Sequence, residues 1–191
     1  MRTNSPGQSS LLLLDIIDIL NQRFISYAII GAFAASFYGM VRASLEADAV
    51  ISMYTSNEVI NLCDELRLRR FLVDYRKGDS NDPIAAVINI QDQFYNRVDL
   101  LIGIHGMPKE LFIRAQRTQF MGSEINIAGL EDFIALKIFA GSPKDIQDIH
   151  GVLDVSGQKI DLILLKELSA YYGADCPSKL QNILNEYRLK M

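Results

Sequence analysis

The chain has 191 residues, 49% hydrophobic and 22% charged, with 19 basic side chains against 23 acidic ones and a net charge of −4. That composition excludes disorder and collagen-like architecture and gives no electrostatic case for wrapping duplex nucleic acid, while the length suits one domain with a modest appendage. Only Cys63 and Cys176 occur, with no CxxC or Cys/His grouping, so neither a disulfide framework nor a zinc site is written here and a reducing cytoplasm fits best.

The opening MRTNSPGQSS is polar, and the LLLLDIIDIL that follows is interrupted by Asp15 and Asp18, so no signal peptide is expected. Residues 11–23 read as an amphipathic helix with Leu12, Ile16, Ile19 and Leu20 on one face and Ser9 or Ser10 as its N-cap. The 18 residues between Arg23 and Arg42 carry no charge, which reaches the lower limit for a membrane-spanning helix. Ser26, Tyr27, Gly31, Ser36, Tyr38 and Gly39 interrupt that run. It divides into a short buried strand at 24–30, a break at Gly31 and a helix at 32–38 that stops at Gly39. A soluble, cytoplasmic protein without a membrane partner is expected.

An extended segment follows at 47–53, and then a helix at 56–69 capped by Ser56, with Val59, Leu62, Cys63 and Leu66 as its apolar stripe. A short strand at 71–75 leads into the loop RKGDSNDP at 76–83. Strands at 85–90 and 97–103 form a hairpin, and 108–115 opens as a helix with an early proline. Segments 118–121 and 124–127 form a second hairpin. From Gly129 onward the pattern is helical, at 130–140, 143–153, 159–172 and 178–187. The organisation is therefore α+β, with a core at residues 1–128 and a helical region at 129–191 packed on it.

Glu46 and Asp48, two apart at the entry of a strand, project from one face, and Asp99 lies in the otherwise apolar strand RVDLLIG. Three such carboxylates on adjacent strands repel one another unless a cation neutralises them, and hard oxygen ligands suit Mg²⁺. Gly31, directly before a helix, lets a phosphate approach backbone N–H groups closely.

The segment YAIIGAFAASFYGMVRASLEADAVIS resembles the opening motif of the minimal nucleotidyltransferases, relatives of DNA polymerase beta that include an abortive-infection toxin branch. Their pattern is a strand, GG or GS, a short helix, then G-x-x-R-x-T-x-D-x-D. Gly31 and Gly39 stand at the glycines, Arg42 at the arginine, Ser44 at the threonine, and Glu46 and Asp48 at the paired metal carboxylates. Asp99 matches the third carboxylate, and Lys137, Lys144, Asp145 and Asp148 fall on the family's helical K-to-KD-x-x-D block. The resemblance spans residues 27–153 and implies a polymerase-beta-like core with a mixed sheet and flanking helices. It also implies transfer of a nucleoside monophosphate from an NTP to an acceptor hydroxyl on tRNA, protein or a small molecule. Glu46, Asp48 and Asp99 would hold Mg²⁺ (or Mn²⁺). Gly31, Ala32, Arg42 and Ser44 would lie along the nucleotide, Lys137 would neutralise phosphate charge, and Asp145 would orient Lys137 or assist the acceptor. The toxin branch adds a place in a toxin–antitoxin pair, with a cognate antitoxin as partner.

Four positions depart from the pattern, Leu45 and Ala47 among them. Ala32 replaces the second Gly or Ser, and Glu46 replaces an Asp, adding a methylene to a proposed ligand. A nucleotide-binding or regulatory member of the same fold with weakened or lost catalysis is the alternative. Each residue also has a simpler reading: Asp99 paired with Arg97 or Arg42, Lys137 snorkelling, Asp145 capping a helix behind Ser142, and Asp148 on the surface. The basic residues Arg67, Arg69, Arg70, Arg76 and Lys77 form either a patch for tRNA or a solvated helix end. His105 and His150 have no partners at metal-binding spacing.

Overall fold

The structure is a computed structural model that describes residues 1–187. Helix α1 (Ser9–Gln22) leads into β1 (Tyr27–Ile30), α2 (Gly31–Phe37) and β2 (Glu46–Ile51). Helix α3 (Ser56–Leu68), β3 (Leu72–Lys77), β4 (Ile84–Gln91), β5 (Arg97–Ile104) and the single turn α4 (Leu111–Arg114) follow. The hairpin β6 (Gln116–Phe120) and β7 (Ser123–Ile127) precedes α5 (Leu130–Ala140), α6 (Pro143–Ser156), α7 (Leu162–Tyr171) and α8 (Cys176–Glu186).

All seven strands form one sheet in the order β3-β4-β5-β2-β1-β7-β6. It is mixed: β2 runs antiparallel to β1 and parallel to β5, and β1 is parallel to β7. Side chains alternate across such a sheet. Ala47, Ala49 and Ile51 of β2 and Val98, Leu100 and Ile102 of β5 are buried on one face, and α1 packs on these two strands. Glu46, Asp48, Asp99 and Leu101 belong to the other face. The core cluster runs without a break from Leu12 to Leu184.

The uncharged run divides as expected, and no helix among the described residues is long and apolar enough to cross a membrane. Several boundaries differ from the sequence expectation. The strand starts only at Tyr27, because the Ile25 N–H still donates to Leu20 of α1 and Phe24 takes a φ of 56°. Gly31 is the first residue of α2 rather than a break before it. The N-cap of α1 is Gln8, which makes no side-chain capping bond. Ser9 lies inside the helix, where its hydroxyl donates to the Leu45 carbonyl (2.7 Å) and accepts from the Arg97 N–H (3.0 Å). It thereby fastens the starts of β2 and β5 to α1. Helix α3 is capped by Thr55, not Ser56, through a reciprocal box with Glu58 that satisfies two free backbone donors. The helix expected at 108–115 shrinks to Leu111–Arg114, while α6 continues to Ser156.

Candidate active site

The centre of the sheet carries the acidic residues. Asp48 on β2 stands directly opposite Asp99 on β5, and Glu46 stands opposite Arg97 at the mouth of the same strand pair. Asp99 lies opposite Asn89 of β4, whose amide donates to the Asp99 carboxylate at 2.7 Å, and the Arg76 guanidinium donates in turn to the Asn89 carbonyl at 2.7 and 3.0 Å. Asp99 is therefore held by an amide, not by the ion pair with Arg97 or Arg42 that was one expectation. Antiparallel register put Asn89 there, a signal that local sequence does not carry.

Among the described residues, Asp48 has no hydrogen-bonded cation. Burial, with Glu46 and Asp99 nearby, pushes its carboxyl from the ordinary value of 3.8 up to about 6, against the opposing pull of Lys137 and Arg42. Its side chain rests on Gly31. That residue has a φ of +64°, and a Cβ built on it would lie 2.0 Å from Asp48 Oδ2, so both the backbone angle and the contact require glycine. Among the described residues, no three His, Cys, Asp or Glu side chains converge closely enough to hold a metal ion as they stand. The chemistry of the donor set nonetheless fits one. Glu46, Asp48 and Asp99 offer hard oxygens from a single sheet face, Glu46 is exposed and free to turn, and the charge on Asp48 lacks a partner.

Lys137 on α5 does not snorkel. Its ammonium lies 2.6 Å from Asp145 and 2.8 Å from Asp148, both on α6. Asp148 is fully buried rather than on the surface, and it accepts both forks of Arg42 at 2.6 and 3.0 Å. Burial pushes the Asp148 carboxyl up, but the Arg42 and Lys137 hydrogen bonds and charges outweigh it and hold it below the ordinary range. Asp145 behaves alike: burial raises it, while Lys137 and the Ser142 hydroxyl and N–H hold it below. Asp145 also closes the capping box of α6 with Ser142, so its two expected roles coexist. The residue left out of the expected site is thus the one that joins the loop after α2 to the helical region. The Lys-Asp-x-x-Asp spacing at 144–148 was its only sequence signal.

Three cavities meet the carboxylates: Glu46 and Asp99 line the first, of about 510 Å³, with Arg76, Asn89 and Arg97. Asp48, Gly31, Lys137 and Asp145 line the second, of about 470 Å³. Glu46, Ala32, Arg42 and Ser44 line the third, of about 440 Å³. Of the basic residues at 67–77, Arg67 pairs with Asp64, Arg69 with Glu65, and Arg76 with Asp74 and Asn89. His150 shares a hydrogen bond with the Tyr187 hydroxyl at 3.0 Å.

The model of a family described as nucleotidyl transferases of unknown function (DUF2204) matches residues 12–185. A search of curated proteins gave no match. Among solved structures, an antigenic nucleotidyltransferase-like protein from Paracoccidioides brasiliensis is 16% identical, with 97% of this chain and 92% of that one covered at a TM-score of 0.56. ANT(2")-Ia in complex with adenylyl-2"-tobramycin is 13% identical, with 85% and 98% covered at a TM-score of 0.57. The lincosamide antibiotic adenylyltransferase LnuA, lincomycin-bound, is 10% identical, with 81% and 100% covered at a TM-score of 0.50. At these identities the likeness is one of fold.

Proposed function

The chain belongs to the DUF2204 nucleotidyl transferase family, and from that premise we propose that it moves a nucleoside monophosphate from an NTP to an acceptor hydroxyl in a Mg²⁺-dependent reaction. The acceptor oxygen bonds the α-phosphorus, the bond to the β-phosphate oxygen breaks, and pyrophosphate leaves. The observation that carries this reading is Asp48, opposite Asp99 and against Gly31, in a cavity that Lys137 and Asp145 also line.

Glu46, Asp48 and Asp99 are the residues that would hold Mg²⁺ or Mn²⁺, which when bound neutralises phosphate charge and orients the triphosphate. Gly31 permits close approach of the chain to Asp48, and Ala32, Ser44 and Arg42 lie on the nucleotide side. Arg42 acts there through Asp148, which fixes its guanidinium. Lys137 supplies positive charge beside the phosphates while Asp145 holds its ammonium in place. In this reading residues 1–128 carry the carboxylates and residues 129–191 supply the opposing lysine. ANT(2")-Ia with adenylyl-2"-tobramycin and LnuA with lincomycin support acceptors other than nucleic acid, while tRNA and protein hydroxyls stay within the same chemistry.

Incubating each α-labelled NTP with Mg²⁺ or Mn²⁺ and a panel of acceptors tests this. A labelled product is expected, reduced about 10³-fold in Asp48→Asn. Equal product from wild type and Asp48→Asn contradicts it. A second reading, nucleotide binding without transfer, is favoured by the separation of the three carboxylates. Calorimetry showing tight NTP binding independent of Mg²⁺, without turnover, would establish that one instead. The transfer reading extends to a cytoplasmic toxin restrained by a cognate antitoxin. Expression should then arrest bacterial growth and Asp48→Asn should relieve it; growth unaffected by wild type rejects the toxin role.

A further inference from the structure

Two of the cavities at the carboxylates differ in character. The one that Glu46 lines with Arg42 also carries the rings of Phe33, Phe37 and Phe120, but it offers Ser36, Ser44 and the guanidinium to a charged, hydrogen-bonding ligand. The one reached by Asp48 is walled by Ile84, Leu101, Ile104, Phe133, Leu136 and Phe139. Its ionisable side chains are Asp48, Lys137 and Asp145 alone, and Lys137 and Asp145 lie within 2.6 Å of each other. Asp48 stands level with Asp99, near the start of β5. Leu101 lies farther along that strand, and Ile104 lies at its end opposite Ile84. The cavity therefore runs from a polar end at the carboxylates to an apolar end where the strand stops.

We propose that this second cavity receives the acceptor of the transfer reaction, and that the acceptor is a small molecule presenting a hydroxyl on an apolar body. The proposal rests on the transfer reading above and names its substrate class. A volume of about 470 Å³ suits a small molecule, not a folded macromolecule. A nucleobase pushed into the apolar end would lose water from its edge nitrogens and oxygens with no side-chain partner to replace it, a direct penalty. A hydrocarbon or aromatic body loses nothing polar there and is driven in by the apolar area it buries. A hydroxyl at the polar end lies beside Asp48, where an NTP held at the carboxylates would present its α-phosphorus. The acceptor oxygen then bonds that phosphorus as pyrophosphate leaves, and the hydroxyl proton passes to water.

The test uses the full chain with ¹³C-labelled isoleucine and leucine methyl groups, and three probes: 2-naphthaleneethanol, glucose and the trinucleotide CCA. The methyl signals of Ile84, Leu101, Ile104 and Leu136 should shift saturably with 2-naphthaleneethanol and stay in place with the other two. Ile84 and Leu101 are only partly buried, so Ile84→Glu and Leu101→Gln should keep the core signals of Leu12 and Leu62 while weakening the probe at least tenfold. Methyl signals that ignore 2-naphthaleneethanol, or that answer to glucose or CCA instead, overturn the assignment. Labelled product on another acceptor without these shifts overturns the cavity assignment alone. Shifts without labelled product from any NTP overturn the transfer reading on which the acceptor role rests.

Discussion

Asp48 of β2 and Asp145 of α6 line one cavity, and the acidic groups to which they belong have opposite electrostatics. Asp145 and Asp148 on α6 face two cations at hydrogen-bond distance, Lys137 and Arg42, and are held below the ordinary carboxylate range. Asp48 has Glu46 and Asp99 as neighbours, no bonded cation, and a carboxyl raised to about 6. The chain thus neutralises one acidic group with its own side chains and leaves Asp48 of the other, among the described residues, without a hydrogen-bonded cation. A net charge of −4 conceals this division. What matters for phosphate chemistry is which acids already have partners.

The largest effect expected within the compensated group comes from Asp148→Ala, which strands Arg42 and Lys137 half-buried without their shared counter-ion. Urea denaturation should show a loss of about 3–5 kcal/mol, because breaking a buried pair leaves uncompensated charge. A loss no greater than that of an exposed ion pair would mean that α6 is not tied to the Arg42 loop as described.

Gly31→Ala touches the uncompensated group. It forces alanine to a φ of +64° and drives a methyl into Asp48 Oδ2. A stability loss of about 2 kcal/mol is expected from the backbone and the clash together, measured by thermal unfolding. Transfer should fall with it. A variant of wild-type activity would show that the Asp48 position is not critical.

The two groups also predict opposite pH slopes. The raised Asp48 carboxyl means that the metal-free folded chain binds more protons than the unfolded one between pH 3.8 and about 6. Stability should therefore fall across that window as pH rises, by about 2 kcal/mol after allowing for partial exposure, and saturating Mg²⁺ should remove the fall. Asp145 and Asp148 have depressed carboxyls, so their contribution is present above the ordinary value of 3.8 and disappears as pH drops through the lower folded values. Denaturation midpoints measured from pH 2.5 to 7, with Asp48→Asn and without, separate the two slopes. A wild-type curve identical to that of Asp48→Asn would remove the contrast.

The smallest expected effect is that of Ser9→Ala, which loses the bonds to Leu45 and Arg97 at the starts of β2 and β5. About 1–2 kcal/mol should be lost in thermal unfolding, well under the Asp148→Ala cost.

Much of the fold was legible because its signals are local. The interrupted uncharged run, the alternation in AAVINI and RVDLLIG and the helical periodicity after Gly129 each lie within one element. The errors share a different cause. Ser9 and Ser56 look like caps from their neighbours, but Ser9 is claimed by Leu45 and Arg97, and Thr55 reaches Glu58 one position earlier. Asp148 reads as a surface acid on an amphipathic helix because its partner Arg42 is 106 residues away. The apolar walls of the acceptor cavity come from β4, β5 and α5, and no window of sequence contains them together. The paired carboxylates Glu46 and Asp48 were legible from spacing, while the amide that holds Asp99 was not.

The division between the two acidic groups is tested most directly by Mn²⁺ binding to the nucleotide-free chain, followed as loss of the free-ion electron paramagnetic resonance signal. Wild type should sequester the ion. Asp48→Asn should weaken binding at least tenfold while its melting temperature holds or rises, and the exposed control Asp64→Asn should bind as wild type does. Mn²⁺ held equally well by Asp48→Asn would contradict the claim that Asp48 anchors the cation-seeking site.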